Sequence, residues 1–259
     1  MNGSILVLGA AGRMGKLVAT SLRQAALGPV AGYDRAAHGT LALEDGPLEL
    51  WEEAVGALTP ESVVVDFSHP DATPLLLRAV QERRARLVVG TTGQSPEQMA
   101  ALRQAATGTA VVVARNFSLG VNRLLQLAAA FRVFIEDGFD VECVETHHRH
   151  KRDAPSGTAL ALLEALGLGA APRVDGRTGI DALRQPGEVG VHSVRLGAVA
   201  GEHALLFGGD HEMIEIRHRA LDRAAFVTGV APAVQFVRRA KPGFYSMLDV
   251  MRDAAGSRQ

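Results

Sequence analysis

The chain has one cysteine in 259 residues. That excludes an intramolecular disulfide and suits a reducing compartment. It also lacks charge of either sign in excess. With a formal net charge of −1, no global field draws it to nucleic acid or to a membrane surface. Long apolar runs are missing too. None approaches the roughly 18 residues a membrane-spanning helix needs. The segment from Met1 to Gly9 carries no basic stretch of the kind that opens a signal peptide. The expected location is the cytoplasm. Internal repeats and low-complexity segments are absent as well. What is present is a 47% hydrophobic composition, enough for one large or two modest globular cores.

The richest chemistry lies between Glu145 and Thr158, which reads ETHHRHKRDAPSGT with His147, His148 and His150 in its middle. Histidines titrate near neutrality, because an unperturbed imidazole has a pKa of about 6.5. Lys151, Arg149 and Arg152 add fixed positive charge. Ser156-Gly157-Thr158 then opens a run of strong helix formers, Ala159 to Leu166. Ser156 is a natural N-cap, and a helix start aims backbone N–H groups at whatever faces it. Gly157 lets a ligand come close to the backbone. The combination describes an anion site with a lysine and proton donors beside it. A solvated basic loop or a zinc site are the plainer readings. The second lacks a cysteine pair, since Cys143 stands alone, and no metal is expected.

At the other end, Ser4–Leu8 is an apolar run typical of a buried parallel strand. Gly9-Ala10-Ala11-Gly12-Arg13-Met14-Gly15 follows, and a helix after it. Strand, glycine-rich turn and helix in that order form the context of a phosphate-binding turn. Ala11 stands where the usual fingerprint has its second glycine. A second strand ends in Asp34, nineteen residues after Gly15, close to the spacing of a ribose-binding carboxylate. Arg35 is placed to stack on adenine or to meet a 2′-phosphate.

Alternation then continues: a short helix over Glu49–Val55, a strand to Phe67, a helix over Asp71–Arg83, a strand over Arg86–Val89, a helix from Ser95 and a strand over Thr109–Ala114. Such alternation predicts a doubly wound parallel sheet. Ligands of these sheets lie at the carboxyl ends of strands. Phe67-Ser68, Gly90-Thr91-Thr92 and Ala114-Arg115-Asn116-Phe117 occupy those ends and are expected to line a cofactor groove.

Leu119–Ile135 reads as one long apolar helix crossing between domains, and Asp140–Thr146 as the strand that delivers the histidines. Gly167–Gly190 has little periodicity and is expected to be a long surface loop. Val191–Val199, Glu202–Phe207 and Glu212–His218 follow one another as strands without helices, the pattern of an antiparallel sheet. Asp222–Arg239 reads as a helix that Pro232 kinks or breaks.

Taken together, the chain resembles the dihydrodipicolinate reductase family over nearly its whole length. The motifs that carry the resemblance are Gly9 to Gly15, Asp66-Phe67-Ser68, Gly90 to Gly93, Asn116-Phe117-Ser118, Gly201-Glu202-His203, Gly243 to Val250 and above all Glu145 to Thr158. The resemblance implies a Rossmann-like dinucleotide-binding domain from residues 1–117 and 223–259. It implies a central α+β domain, 118–222, with a mainly antiparallel or mixed sheet that binds substrate and builds a homotetramer. Gly9 to Met14, Asp34, Gly90 to Thr92 and Ala114 to Phe117 would contact the dinucleotide. His147 would donate or accept a proton, Lys151 would be a second donor, and His148, Gly157 and Thr158 would hold the substrate. The family varies between acidic and basic residues after its second strand, so the reductant is NADH, NADPH or both. The implied substrate is a cyclic imine with two carboxylates in lysine and diaminopimelate biosynthesis. Two domains must close over it, which places hinges near Ser118 and Arg223. Rival readings are another two-domain nicotinamide enzyme, a non-catalytic dinucleotide sensor and a zinc hydrolase.

Overall fold

The computed structural model describes residues 3–256. Met1, Asn2 and 257–259, the outer ends of the expected dinucleotide-binding domain, lie outside the described residues. The chain forms two compact units, one running to Ser118 and resuming at Phe226, the other spanning Leu119–Ala225.

The first unit is built on a six-stranded sheet in the order β13-β7-β6-β5-β1-β2. Its strands are β1 (Ile5–Leu8), β2 (Val30–Tyr33), β5 (Val63–Asp66), β6 (Arg86–Val89), β7 (Ala110–Val113) and β13 (Gly243–Tyr245). Every pairing is parallel. The continuous apolar runs of β1 and β5 are buried at every position, as strands covered on both faces must be. Helices α1 (Arg13–Gln24), α2 (Thr73–Arg83), α3 (Pro96–Ala105), α7 (Val230–Arg239) and α8 (Met247–Gly256) complete the Rossmann-like unit. α3 starts as its sequence demands: Ser95 and Gln98 form a reciprocal capping box ahead of Pro96. β1 lies between β2 and β5, so the strand order reverses there. That reversal opens a crevice at the strand ends.

Three expectations fail here. Glu49–Val55 is not a helix. Residues 40–49 instead form a hairpin, β3 (Thr40–Leu43) and β4 (Gly46–Glu49), and Leu50 then bridges to Gly32 of β2. The apolar residues Leu48, Leu50, Ala54 and Val55 are buried, so tertiary burial outweighs a weak helical period. Pro232 neither kinks nor breaks α7. It sits in the first turn, where the missing N–H would have had no partner. The expected Asp222–Arg239 helix is divided at Gly229, with only a 3-10 stretch, Arg223–Val227, before it.

The second unit holds a mixed five-stranded sheet, ordered β12-β11-β8-β10-β9. These are β8 (Asp140–His147), β9 (Arg173–Val174), β10 (Val189–Arg195), β11 (Gly201–Gly208) and β12 (Met213–Ala220). β11 is antiparallel to both neighbours, but β10 runs parallel to β8. The three successive strands therefore do not make one antiparallel meander. The expected long helix is also broken, into α4 (Leu119–Ala128), a 3-10 turn and α5 (Arg132–Glu136), all inside this unit. α6 (Gly157–Ala165) lays Ala159, Leu162 and Leu163 into a core with Val141, Cys143, Leu205 and Phe207. Truncating Leu162 to Ala there would cost about 2–5 kcal/mol.

The segment Gly167–Gly190 contains β9 and is anchored rather than loose. Arg177 pairs with Glu142 at 3.2 Å and Glu188 at 2.5 Å. Arg184 pairs with Asp140 at 2.8 Å and also with Glu142.

Candidate functional site

In the first unit a cleft of about 420 Å³ opens at the ends of β1, β2 and β5, lined by Gly9, Gly12, Asp34, Arg35, Phe67 and Ser68 among others. A second opening of about 450 Å³ shares Phe67 and Ser68 and is lined also by Met14, Gly90, Thr91 and Thr92. The backbone explains the glycines. Gly9 has φ +74°, and a Cβ there would lie 2.7 Å from the Phe67 carbonyl oxygen; one on Gly15 would lie 2.0 Å from the Gly9 oxygen. β1, β5 and α1 can approach this closely only without side chains at those points.

The start of α1 fits a phosphate. Its N-cap is Gly12, with no side-chain cap and no acidic residue in the first turn, so the positive end of the helix meets no carboxylate of its own. Asp34 is fixed by two backbone donors: Ala11 N–H reaches Oδ2 at 3.1 Å and Ala36 N–H reaches Oδ1 at 3.0 Å. Ala11 thus serves the turn through its backbone where the fingerprint has glycine. Of the other expected groove residues, Ala10 is buried and Arg13 and Arg115 are exposed. Asn116 Oδ1 accepts Ser118 N–H at 2.8 Å, and Ala114 N–H bonds the Val89 carbonyl at 3.0 Å. Phe117 is buried against Phe67, with ring centroids 5.5 Å apart. Sequence reasoning gave Asp66 no task of its own in this cleft. Burial pushes its carboxyl up, against hydrogen bonds from Ser68 and Thr91. Ser68 Oγ donates to it at 2.5 Å, which orients Ser68 in the cleft wall.

The second unit gathers its polar groups at the end of β8. Alternation along that strand turns Val141, Cys143, Glu145 and His147 inward together. Three of these four are ionisable, and two of them, Glu145 and His147, bond each other. Glu145 is fully buried. It accepts two bonds from Arg195, at 3.0 and 2.9 Å, one from Ser156 N–H at 3.2 Å, and one from His147 Nδ1. Burial alone would push the Glu145 carboxyl up, but the bonds from Arg195, His147 and Ser193 hold it below the ordinary range. For His147 the shift is also downward, but its effect on charge is the reverse. Burial pulls its imidazole below the ordinary value, Glu145 partly restores it, and Lys151 and Arg195 oppose protonation. The ring is therefore neutral near pH 7. Because an ionised carboxylate only accepts, Nδ1 carries the hydrogen and Nε2 is left to exchange a proton elsewhere.

Ser156 caps α6, its hydroxyl accepting Ala159 N–H at 3.2 Å and lying 2.9 Å from His203 Nε2. His203 in turn stands edge-on to His147, centroids 5.1 Å apart. Lys151 Nζ bonds Asp153 at 2.9 Å, and Arg195 donates to the Asp153 carbonyl at 2.6 Å. One arginine thus ties the lysine's loop to Glu145. Gly157 has an ordinary φ, and a Cβ on it would meet nothing within 4 Å. The fold does not require glycine there, and open space lies in front of it. Thr158 is half-buried beside it, and the His148 ring lies 6.3 Å from that of His150. Cys143 offers no nucleophile, because burial, and secondarily Glu145, push its thiol up to about 12.

Among the expected residues, His147 and Ser156 are joined through Glu145. Arg195 and His203 were missed. Arg195 is the parallel partner of His147 across β10, and His203 the antiparallel partner of Glu145 on β11. No local signal links them to the histidine segment. Glu145 had one: a carboxylate in the inward register of a half-buried strand.

Comparison with known proteins places both units in one family. Residues 3–117 match the profile described as dihydrodipicolinate reductase, N-terminus, and residues 120–251 the profile of its C-terminus. The chain is 38% identical over 268 residues to a 4-hydroxy-tetrahydrodipicolinate reductase of Ruegeria pomeroyi, covering 95% of this chain and 97% of that one. A protein of the same name from Rubrobacter xylanophilus is 39% identical over 273 residues, with the same coverage of each. Among solved structures, a dipicolinate-bound dihydrodipicolinate reductase from Paenisporosarcina sp. TG-14 superposes with a TM-score of 0.74 at 22% identity, covering 95% of this chain and 98% of that one. An amine dehydrogenase from Mycobacterium smegmatis shares the fold with a TM-score of 0.60 at 14% identity, over 95% of each chain. The chain belongs to the dihydrodipicolinate reductase family of NAD(P)H-dependent oxidoreductases.

Proposed function

We propose that the chain reduces 4-hydroxy-tetrahydrodipicolinate, a cyclic imine dicarboxylate, to tetrahydrodipicolinate in lysine and diaminopimelate biosynthesis, one hydride and one proton being taken up and the 4-hydroxyl leaving as water, with His147 and Lys151 handling the protons. The observation that carries this reading is the single bonded cluster in which Glu145 joins the His147 imidazole to the start of α6.

Gly9 to Met14, Asp34, Arg35, Phe67, Ser68, Gly90 to Thr92 and Ala114 to Phe117 would hold the dinucleotide. The glycine turn and uncapped α1 start meet its pyrophosphate, and Asp34 its ribose. The bound nicotinamide supplies the hydride. The residues of the second unit do the rest. The α6 start at Ser156, Gly157 and Thr158, with His148, grips a substrate carboxylate through N–H donors and the helix dipole. Lys151 exchanges its Asp153 partner for a substrate carboxylate, and its ammonium offsets the negative charge that builds as the imine is reduced. His147 moves a proton through Nε2 while Glu145 holds Nδ1. A neutral imidazole at pH 7 suits a group that must both take up and release a proton.

On this reading the residues on either side of 118 and 223 are a dinucleotide-binding domain and a substrate domain that assembles a homotetramer. Exposed apolar residues on β10, β12 and the turns after them, including Val194, Leu196, Met213 and Leu221, support assembly. No described helix is long and apolar enough to cross a membrane, and the lone buried Cys143 suits the cytoplasm.

Mixing the protein with the cyclic substrate and either NADH or NADPH, and following nicotinamide absorbance, tests the reading. Oxidation that requires the substrate is the expected result. Dinucleotide binding without turnover would leave only a sensor.

A further inference from the structure

We propose that Glu145 is the positioning residue of this reaction: one carboxylate, gripped on both oxygens by Arg195, sets the His147 ring through Oε2 and the substrate-binding start of α6 through Oε1. The inference rests on the roles given above to His147 and α6 and adds to them a residue that touches neither substrate nor cofactor.

The geometry is specific. Glu145 is fully buried, and a buried carboxylate without partners would be costly. Here Arg195 reaches it twice, at 3.0 and 2.9 Å, and the Ser156 N–H at 3.2 Å, His147 Nδ1 and the Ser193 side chain reach it too. The donors come from three separate segments: β10, the start of α6, and the end of β8 itself. Arg195 also holds the Asp153 carbonyl at 2.6 Å, two residues from Lys151. Proton donor, anion-gripping helix and lysine loop therefore share one ion pair as their common support. A purely structural ion pair could join these segments without orienting a ring. Glu145 meets the ring at Nδ1, and this selects which nitrogen is left to exchange a proton.

The groups facing His147 are Glu145 on β8, Arg195 on β10, Lys151 in the following loop and His203 on β11, with His218 of β12 beyond His203. Only Glu145 favours the imidazolium. Removing its charge must move the ionisation of His147 to lower pH.

Steady-state kinetics across pH for the full-length wild type, Glu145→Gln, His147→Gln and the double variant test this, with cofactor affinity read from NADH fluorescence. In E145Q we expect kcat to fall at least about 10-fold, as for the loss of an orienting carboxylate. Its His147 limb should shift to lower pH, KM for the dicarboxylate should rise, and NADH affinity should hold. The double variant should be little slower than H147Q, since the two act as a unit. E145Q turnover within about 2-fold of wild type, or an unshifted limb, would overturn the proposal. If H147Q itself turns over normally, the role given to His147 fails first, and that result is separate. Should E145Q not fold, long-range 1H–15N spectra of the wild type decide. Neutral His147 must appear as the Nδ1–H tautomer, the less common one in free histidine. The Nε2–H tautomer would sink the idea.

Discussion

The hydroxyl of Ser156 lies 2.9 Å from Nε2 of His203, joining the cap of α6 to the middle of the sheet. His203 is buried, and burial, with His147 second, pulls its imidazole down to about 3 from an ordinary 6.5. A histidine kept neutral by the fold binds fewer protons folded than unfolded. Its contribution is therefore complete above pH 6.5 and is lost as pH falls toward 3, by about 1.4 kcal/mol for each pH unit inside that window. Urea unfolding at pH 7 and pH 5 should show wild type losing stability on acidification. His203→Gln, though weaker at pH 7, should lose less. Equal losses would mean that His203 is free to protonate in the folded state.

His147→Gln should lower kcat by roughly 10²–10⁴-fold, the usual weight of a positioned acid–base group. NADH affinity, measured by fluorescence, should be unchanged, since none of the residues lining the clefts proposed for the dinucleotide belongs to the second unit. Near-normal turnover would remove His147 from proton transfer.

Lys151 already holds one carboxylate, that of Asp153 at 2.9 Å. Exchanging it for a substrate carboxylate and then donating a proton are two tasks. Lys151→Ala should therefore raise KM and lower kcat together. A change in KM alone would restrict the lysine to binding.

Gly157→Ala separates ligand approach from folding. No atom lies within 4 Å of the added methyl and the backbone is not left-handed, so thermal stability should hold or rise, helix propensity favouring Ala by up to about 1 kcal/mol. KM for the dicarboxylate should rise, because on the proposed reading the methyl stands where the ligand comes. An unchanged KM would mean that the substrate does not meet α6 at this residue.

Asp34 lines the cleft proposed for the dinucleotide, with both oxygens held by backbone N–H groups. A carboxylate there binds ribose hydroxyls and repels a 2′-phosphate. Asp34→Ala should raise the ratio of kcat/KM for NADPH over NADH. An unaltered ratio would show that the carboxylate does not reach the ribose.

Much of this protein is decided locally. Apolar runs of three or four residues between glycine turns and amphipathic helices specify the parallel strands β1, β5 and β6, since only strands covered on both faces bury such runs. The Gly9–Gly15 turn and the Ser156 cap are likewise local chemistry, legible because each works within a few residues. So is the inward register that pairs Glu145 with His147. The hairpin hidden in residues 40–49, the unbroken α7 at Pro232 and the parallel course of β10 were decided by tertiary burial and pairing. The same holds for the site's inner support. Arg195 and His203 reach Glu145 and His147 from neighbouring strands, about fifty residues along the chain. No periodicity spans that distance. Only pairing of β8 with β10 and β11 brings a second charge and a second ring beside the first, and with them the lowered ionisation of His147.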